Sequence, residues 1–151
     1  MSTAESLTGG QLAARLTAVP GASATYVGGV VAYATEVKVS VLGVRPTLVE
    51  RHGVVSAECA LAMARGVRDL TGSTYGVSTT GVAGPTEQEG KPVGTVYVGL
   101  CGPSAVTSLA LELVGDRSGV VEQTLEAALG ALVELLTTDS SGTGRSTRLP
   151  G

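Results

Sequence analysis

Ser6, inside "TAESLTGG" at residues 3–10, and Lys38, at the end of "YATEVK", are the residues from which chemistry is most directly read. A serine leaving a short strand and entering a glycine-rich helix start is well placed to act as a nucleophile. The N–H groups of a first helical turn are free and the helix dipole favours negative charge there. Leu7, Thr8, Gly9 and Gly10 are therefore candidates to hold an oxyanion or a phosphate. The same run also reads as an ordinary helix cap, and from this segment alone both roles are open.

Serine needs a group that takes its proton. The chain has one histidine, His52 in "ERHGV", which gives a Ser-His-Asp triad little support. A lysine kept neutral by burial or by neighbouring cations is the more economical base. Only Lys38 and Lys91 qualify, because every other basic residue is an arginine. Tyr33 at a strand end and Lys38 about one turn into the next helix can bring both tips to one pocket. Core packing for Tyr33 and a solvated helix position for Lys38 are the plainer alternatives.

Three further segments supply a pocket wall. "STTGVAGP" (78–85) ends a strand in small residues, which suits backbone lying against a ligand and makes Thr80, Gly81 and Gly84 candidate contacts; a hairpin exit has the same composition. "TEQEGKPVGT" (86–95) is polar and suits a lid or a plain surface loop. "GDR" (115–117) sets Arg117 at a helix start, where a phosphate meets both dipole and guanidinium, or where the arginine is simply exposed beside Asp116.

The elements that must position these residues follow from periodicity. Apolar spacing predicts a helix over 9–19, a buried strand over 25–34 with a close approach or bulge at Gly28 and Gly29, and a short helix through 35–43. A turn of helix begins near Pro46, with Thr47 and Glu50 at capping-box spacing. A longer helix covers 56–72. Strands follow at 74–82, 93–101 and 104–114, with links that suggest hairpins. Asp116 caps a last helix running to about Thr137. Residues 1–137 then form one domain, and 138–151, polar and glycine-rich, read as a disordered tail. The class is α/β, a mixed sheet with helices on both faces and the 93–101 strand antiparallel to its neighbours.

Composition narrows the function. A chain of 151 residues with 43% hydrophobic content carries a core for one domain, built from Val, Leu and Ala since Phe and Trp are absent. Net charge is −3 and pI about 5.1, with no cluster of lysine or arginine, which argues against nucleic acid and acidic lipid as partners. Cys59 and Cys101 lack metal-ligand spacing and are expected as reduced, buried thiols; no metal is expected. No secretory or membrane-spanning run is evident, so a cytoplasmic location is expected.

Taken in order, "TAESLTGG", "GGVVAYATEVKVSVLGV", "HGVVS", "TTGVAGP", "KPVGTVYVGL" and "GDR" resemble the CinA C-terminal domain family over residues 3–136. The resemblance implies a three-layer α/β/α sandwich and, since the family includes nicotinamide-nucleotide amidases, hydrolysis of nicotinamide mononucleotide to nicotinate mononucleotide and ammonia. It places the family's serine on Ser6 and its tyrosine and lysine on Tyr33 and Lys38. It also implies a homodimer, no cofactor, an oxyanion held near Thr8 to Gly10, a ribose side shaped by Gly81 to Gly84, and a phosphate on Arg117.

Three departures from the family pattern carry expectations. Five residues precede Ser6 where members carry a helix and most of a strand, so the sheet centre is expected to lose a partner, with stability or dimerisation compensating. Val121 stands where members often have a second arginine, with loss of a phosphate contact expected. Leu7 stands where a cysteine is frequent, without consequence for the chemistry. The large N-terminal domain of full-length CinA proteins, and any activity belonging to it, is not inferred. Two rivals from other classes are a catalytically silent nucleotide-binding or regulatory module and a protein-interaction domain linked to DNA uptake; the acidic pI argues against direct DNA contact.

Overall fold

The computed structural model describes residues 1–142. Its extended runs are β1 (Ser2–Glu5), β2 (Gly28–Val31), β3 (Gly76–Gly81), β4 (Thr95–Cys101) and β5 (Val106–Glu112). They join in the order β2-β1-β3-β4-β5. β1 pairs parallel to both β2 and β3, with Glu5 opposite Val31 on one side and Thr79 on the other. β4 is antiparallel to both β3 and β5, as expected of the 93–101 segment.

The helices are α1 (Gln11–Thr17), α2 (Thr35–Ser40), α3 (Pro46–His52), α4 (Ala57–Thr71) and α5 (Arg117–Gly142). Strand alternation gives the sheet two apolar faces. Val77, Val96, Val98 and Leu100 cluster with Leu12 of α1 and with Val120, Leu125 and Leu132 of α5. Ala4 clusters with Cys59, Met63 and Val67 of α4. Helices on both faces of a mixed sheet make the α/β sandwich. On the α4 side Gly99 has no room for a side chain, because a Cβ would run into the Ala60 carbonyl. Small residues there let the helix backbone settle onto the sheet.

Several expectations change. All four residues of β1 pair on both sides, so the sheet centre keeps both partners. The 25–34 segment yields a four-residue edge strand with alternating exposure, not a buried one, because β2 has a neighbour on one side only. The close approach lies at Gly29, where a Cβ would meet the Thr3 and Tyr26 hydroxyls, themselves 2.7 Å apart. Arg45 is the N-cap of α3, which puts Thr47 inside the helix and leaves the capping box unformed.

Asp116 does cap α5, accepting from Gly119 N–H (2.9 Å), but the helix continues past Thr137 to Gly142. Thr137, Thr138, Ser140 and Ser141 donate their hydroxyls to carbonyls four residues back, so these polar residues are satisfied within the helix. The rest of the expected tail, 143–151, lies outside the described residues. Among the described residues no helix is long and apolar enough to cross a membrane.

Candidate active site

β1 turns back at its carboxyl end, and Ser6 is the first residue past it. β1 lies between β2 and β3, with α1 on one face of the sheet and α4 on the other; a crevice outside the strand ends is where such sheets take ligands. Ser6 is held by its own backbone: its N–H donates to the Thr79 carbonyl (2.9 Å) and its carbonyl accepts from Gly9 N–H (3.1 Å).

Lys38 reaches it from α2. The side chain is 1% exposed, and Nζ lies 3.0 Å from Ser6 Oγ, 2.7 Å from the Ala32 carbonyl and 3.3 Å from the Tyr33 carbonyl. A neutral amine has two N–H groups and one lone pair. With the N–H groups on the two carbonyls, the lone pair is left facing the serine hydroxyl. Burial lowers the Lys38 pKa from its ordinary 10.5, against the opposing pull of Cys59, Glu89 and Glu36. Cys59 is fully buried and its thiol is pushed up to about 11, chiefly by the same desolvation.

This shift has a sign that stability can report. The unfolded chain binds more protons than the fold between the lowered pKa and 10.5, so the Lys38 contribution to stability rises with pH across that window. Relative to Lys38→Met, wild type is expected to gain stability as pH rises toward 10.5. Urea denaturation at a series of pH values checks it, and a difference that is flat with pH would mean that the amine titrates normally in the fold.

Ser6 and Lys38 lie in a polar cavity of about 340 Å³ that also includes Leu7, Tyr33, Thr35, Thr80, Gly81, Gly84 and Arg117 in its lining. Arg117 closes one rim, donating to the Gly84 carbonyl (2.6 Å) and the Tyr33 hydroxyl (2.5 Å). The Tyr33 ring thus meets Arg117, and its link to Lys38 is through its backbone carbonyl rather than its phenol. Thr80 donates to the Val54 carbonyl (2.7 Å), fixing the segment before α4 to β3. The missing side chain of Gly81 serves packing, since a Cβ would press on Thr95 and Val96 of β4.

Thr8, Gly9 and Gly10 do not line the cavity. The first turn of α1 is occupied by a residue that no local spacing singles out, Glu5, which is 1% exposed. Its Oε1 accepts from Leu12 N–H (2.7 Å) and the Thr8 hydroxyl (2.6 Å), and its Oε2 from Ala13 N–H (3.1 Å). The available signal was negative: Gly10, the N-cap, has no side chain with which to cap.

Other candidates fall elsewhere. His52 sits 3.5 Å from Glu58 and away from the cavity, and Lys91 donates to the Val55 carbonyl. Val121, 7% exposed, packs in the core beneath α5 and outside the cavity lining. Cys59 and Cys101 are free and buried. Among the described residues no cluster of metal-ligating side chains occurs.

Known proteins share this fold. The family model for the CinA C-terminal domain matches residues 1–136. A CinA-like protein of Frankia casuarinae is 52% identical over 136 residues, which are 90% of this chain and 31% of that protein; the chain thus spans about a third of the length of such a relative. Among solved structures, a competence-damaged protein (CinA) superfamily protein of Klebsiella pneumoniae is 37% identical, with a TM-score of 0.88 over 91% of this chain and 86% of that one. The competence/damage inducible protein of Agrobacterium tumefaciens is 34% identical, with a TM-score of 0.85 over 89% and 83%. With a family model matched over residues 1–136 and a relative 52% identical over 90% of this chain, the chain belongs to the CinA C-terminal domain family.

Proposed function

We propose that this chain is an amidohydrolase that converts nicotinamide mononucleotide to nicotinate mononucleotide and ammonia. The observation that carries the proposal is the buried Lys38 amine 3.0 Å from Ser6 Oγ, in a polar cavity with Arg117 at its rim. Its substrate comes from the family resemblance, and the cavity is of a size suited to a small molecule.

In this mechanism neutral Lys38 takes the Ser6 proton as Oγ bonds to the carboxamide carbon. The tetrahedral intermediate collapses with cleavage of the C–N bond, and the Lys38 ammonium gives its proton to the departing nitrogen, which leaves as ammonia. Water then attacks the acyl-enzyme and Lys38 accepts one proton from it. That proton passes to Ser6 Oγ as the C–O bond breaks, and the carboxylic acid product gives its remaining proton to solvent and leaves as the carboxylate. Leu7 adjoins the nucleophile and lines the cavity, and its N–H donates to no acceptor among the described residues, so that N–H is assigned to the oxyanion. Arg117 seats the phosphate, exchanging its contacts with Tyr33 and Gly84 for the anion.

Ammonia release from nicotinamide mononucleotide by the purified chain tests the proposal. Nicotinamide riboside, which lacks the phosphate, is expected to turn over with KM raised about tenfold or more. Arg117→Ala is expected to raise KM for the mononucleotide by a similar factor and to leave the riboside unaffected. No ammonia from either substrate would favour a binding module, and equal losses on both would remove Arg117 from the phosphate.

A further inference from the structure

The segment between β3 and β4, residues 82–94, carries a feature that this reaction does not use. Its tip, Gln88-Glu89-Gly90-Lys91, closes as a two-residue turn, with Gln88 N–H donating to the Lys91 carbonyl (3.1 Å) and Lys91 N–H to the Gln88 carbonyl (2.9 Å). Both central residues are left-handed, Glu89 at φ 54° and Gly90 at φ 70°. Asn, Asp or Gly suits the first of these positions, and glutamate is strained there.

What glutamate adds is reach. Its Oε1 accepts from Val54 N–H (2.9 Å) and its Oε2 from Val55 N–H (3.1 Å). Lys91 donates to the Val55 carbonyl from 4.0 Å beside the same carboxylate. The receiving side is shaped to match, since a Cβ at Gly53 would collide with Glu89 Oε2. It is also fixed, through the Thr80 hydroxyl on the Val54 carbonyl. Both ends of the tie belong to the cavity: Val54 and Val55 line it from one side, and Thr86, Glu87 and Gln88 from the strap.

We infer that Glu89 is a positioning residue whose carboxylate latches the strap onto Val54 and Val55, and that the latched strap presents Thr86, Glu87 and Gln88 as the wall seating the polar, non-reacting part of the substrate. The substrate side of this inference rests on the amidase proposal; the latch is a property of the free protein. Ser6 and Lys38 hang on β1 and α2, which the strap does not hold, so releasing the latch weakens binding; the Glu89 charge also pulls the Lys38 pKa upward, and its removal leaves the amine more readily neutral.

Glu89→Asn separates the latch from the turn, because asparagine suits the left-handed position but is too short to reach Val54. Thermal stability is expected to fall, because two amides of buried valines lose their acceptor and the relieved turn offsets only part of that, while hydrogen exchange at the Val54 and Val55 amides speeds about tenfold or more beyond any change at core amides. KM for nicotinamide mononucleotide is expected to rise about tenfold with kcat not lowered. Glu89→Gln keeps the reach and one acceptor, and should fall between wild type and Glu89→Asn on both measures. Unchanged exchange in Glu89→Asn would overturn the latch. A fall confined to kcat would overturn the role in substrate seating. If wild type releases no ammonia, faster exchange would still support the latch while the amidase proposal falls.

Discussion

Ser6→Ala is expected to lower kcat/KM for ammonia release by about 10,000-fold or more, which is about 5 kcal/mol of transition-state stabilisation. Lys38→Met is expected to do the same, because without the amine no side chain among the described residues bonds to Ser6 Oγ to take its proton. The two residues act as one unit. The double variant is therefore expected to be no slower than either single variant, the non-additivity that marks a nucleophile and its base. Ser6→Ala removes one side-chain hydrogen bond and should fold normally, with a denaturation midpoint near wild type. Steady-state ammonia release with unfolding curves for the three variants decides the matter. Residual rates that multiply in the double variant would mean that serine and lysine act independently, and a Lys38→Met enzyme at near-normal rate would end the serine–lysine mechanism.

The parts of this site legible in the sequence are those set by chain direction. Ser6 follows β1, and Lys38 follows β2 by about one turn of α2; parallel pairing of β1 with β2 brings the two to the same sheet edge. Periodicity also gave the two-faced sheet and the lone antiparallel strand. What stayed hidden depends on where side chains reach across the fold. The Tyr33 phenol pairs with Arg117, 84 residues away, and Glu89 ties to Val54, 35 residues away, contacts that no local spacing encodes. The Val and Gly composition of β2 suits either an edge or a centre, and only the strand order distinguishes them. The helical 138–142 segment has the composition of a tail, since serine and threonine favour loops unless their hydroxyls turn back onto the helix, as they do here.

Glu5→Gln is expected to destabilise the fold by about 2–4 kcal/mol, although it changes one atom beside the nucleophile. Both carboxylate oxygens of Glu5 act as acceptors: Oε1 takes the Leu12 amide and the Thr8 hydroxyl, and Oε2 takes the Ala13 amide. An amide side chain has one acceptor oxygen and one donor nitrogen. In either orientation its NH₂ group must face a backbone N–H of α1, so one bond becomes a donor–donor contact and the charge opposite the helix dipole is lost. The site is 1% exposed, so water cannot take over the abandoned amide. Thr8→Val, which gives up the hydroxyl that touches both Glu5 and Thr79 (2.8 Å), should cost less, about 1 kcal/mol, because the two amides keep their carboxylate. Denaturant midpoints at constant m-value measure both. Since the Ser6 turn lies between Glu5 and α1, the expected loss ties the placement of the nucleophile to the acid before it; a Glu5→Gln protein as stable as wild type would mean that the turn is held by strand pairing alone.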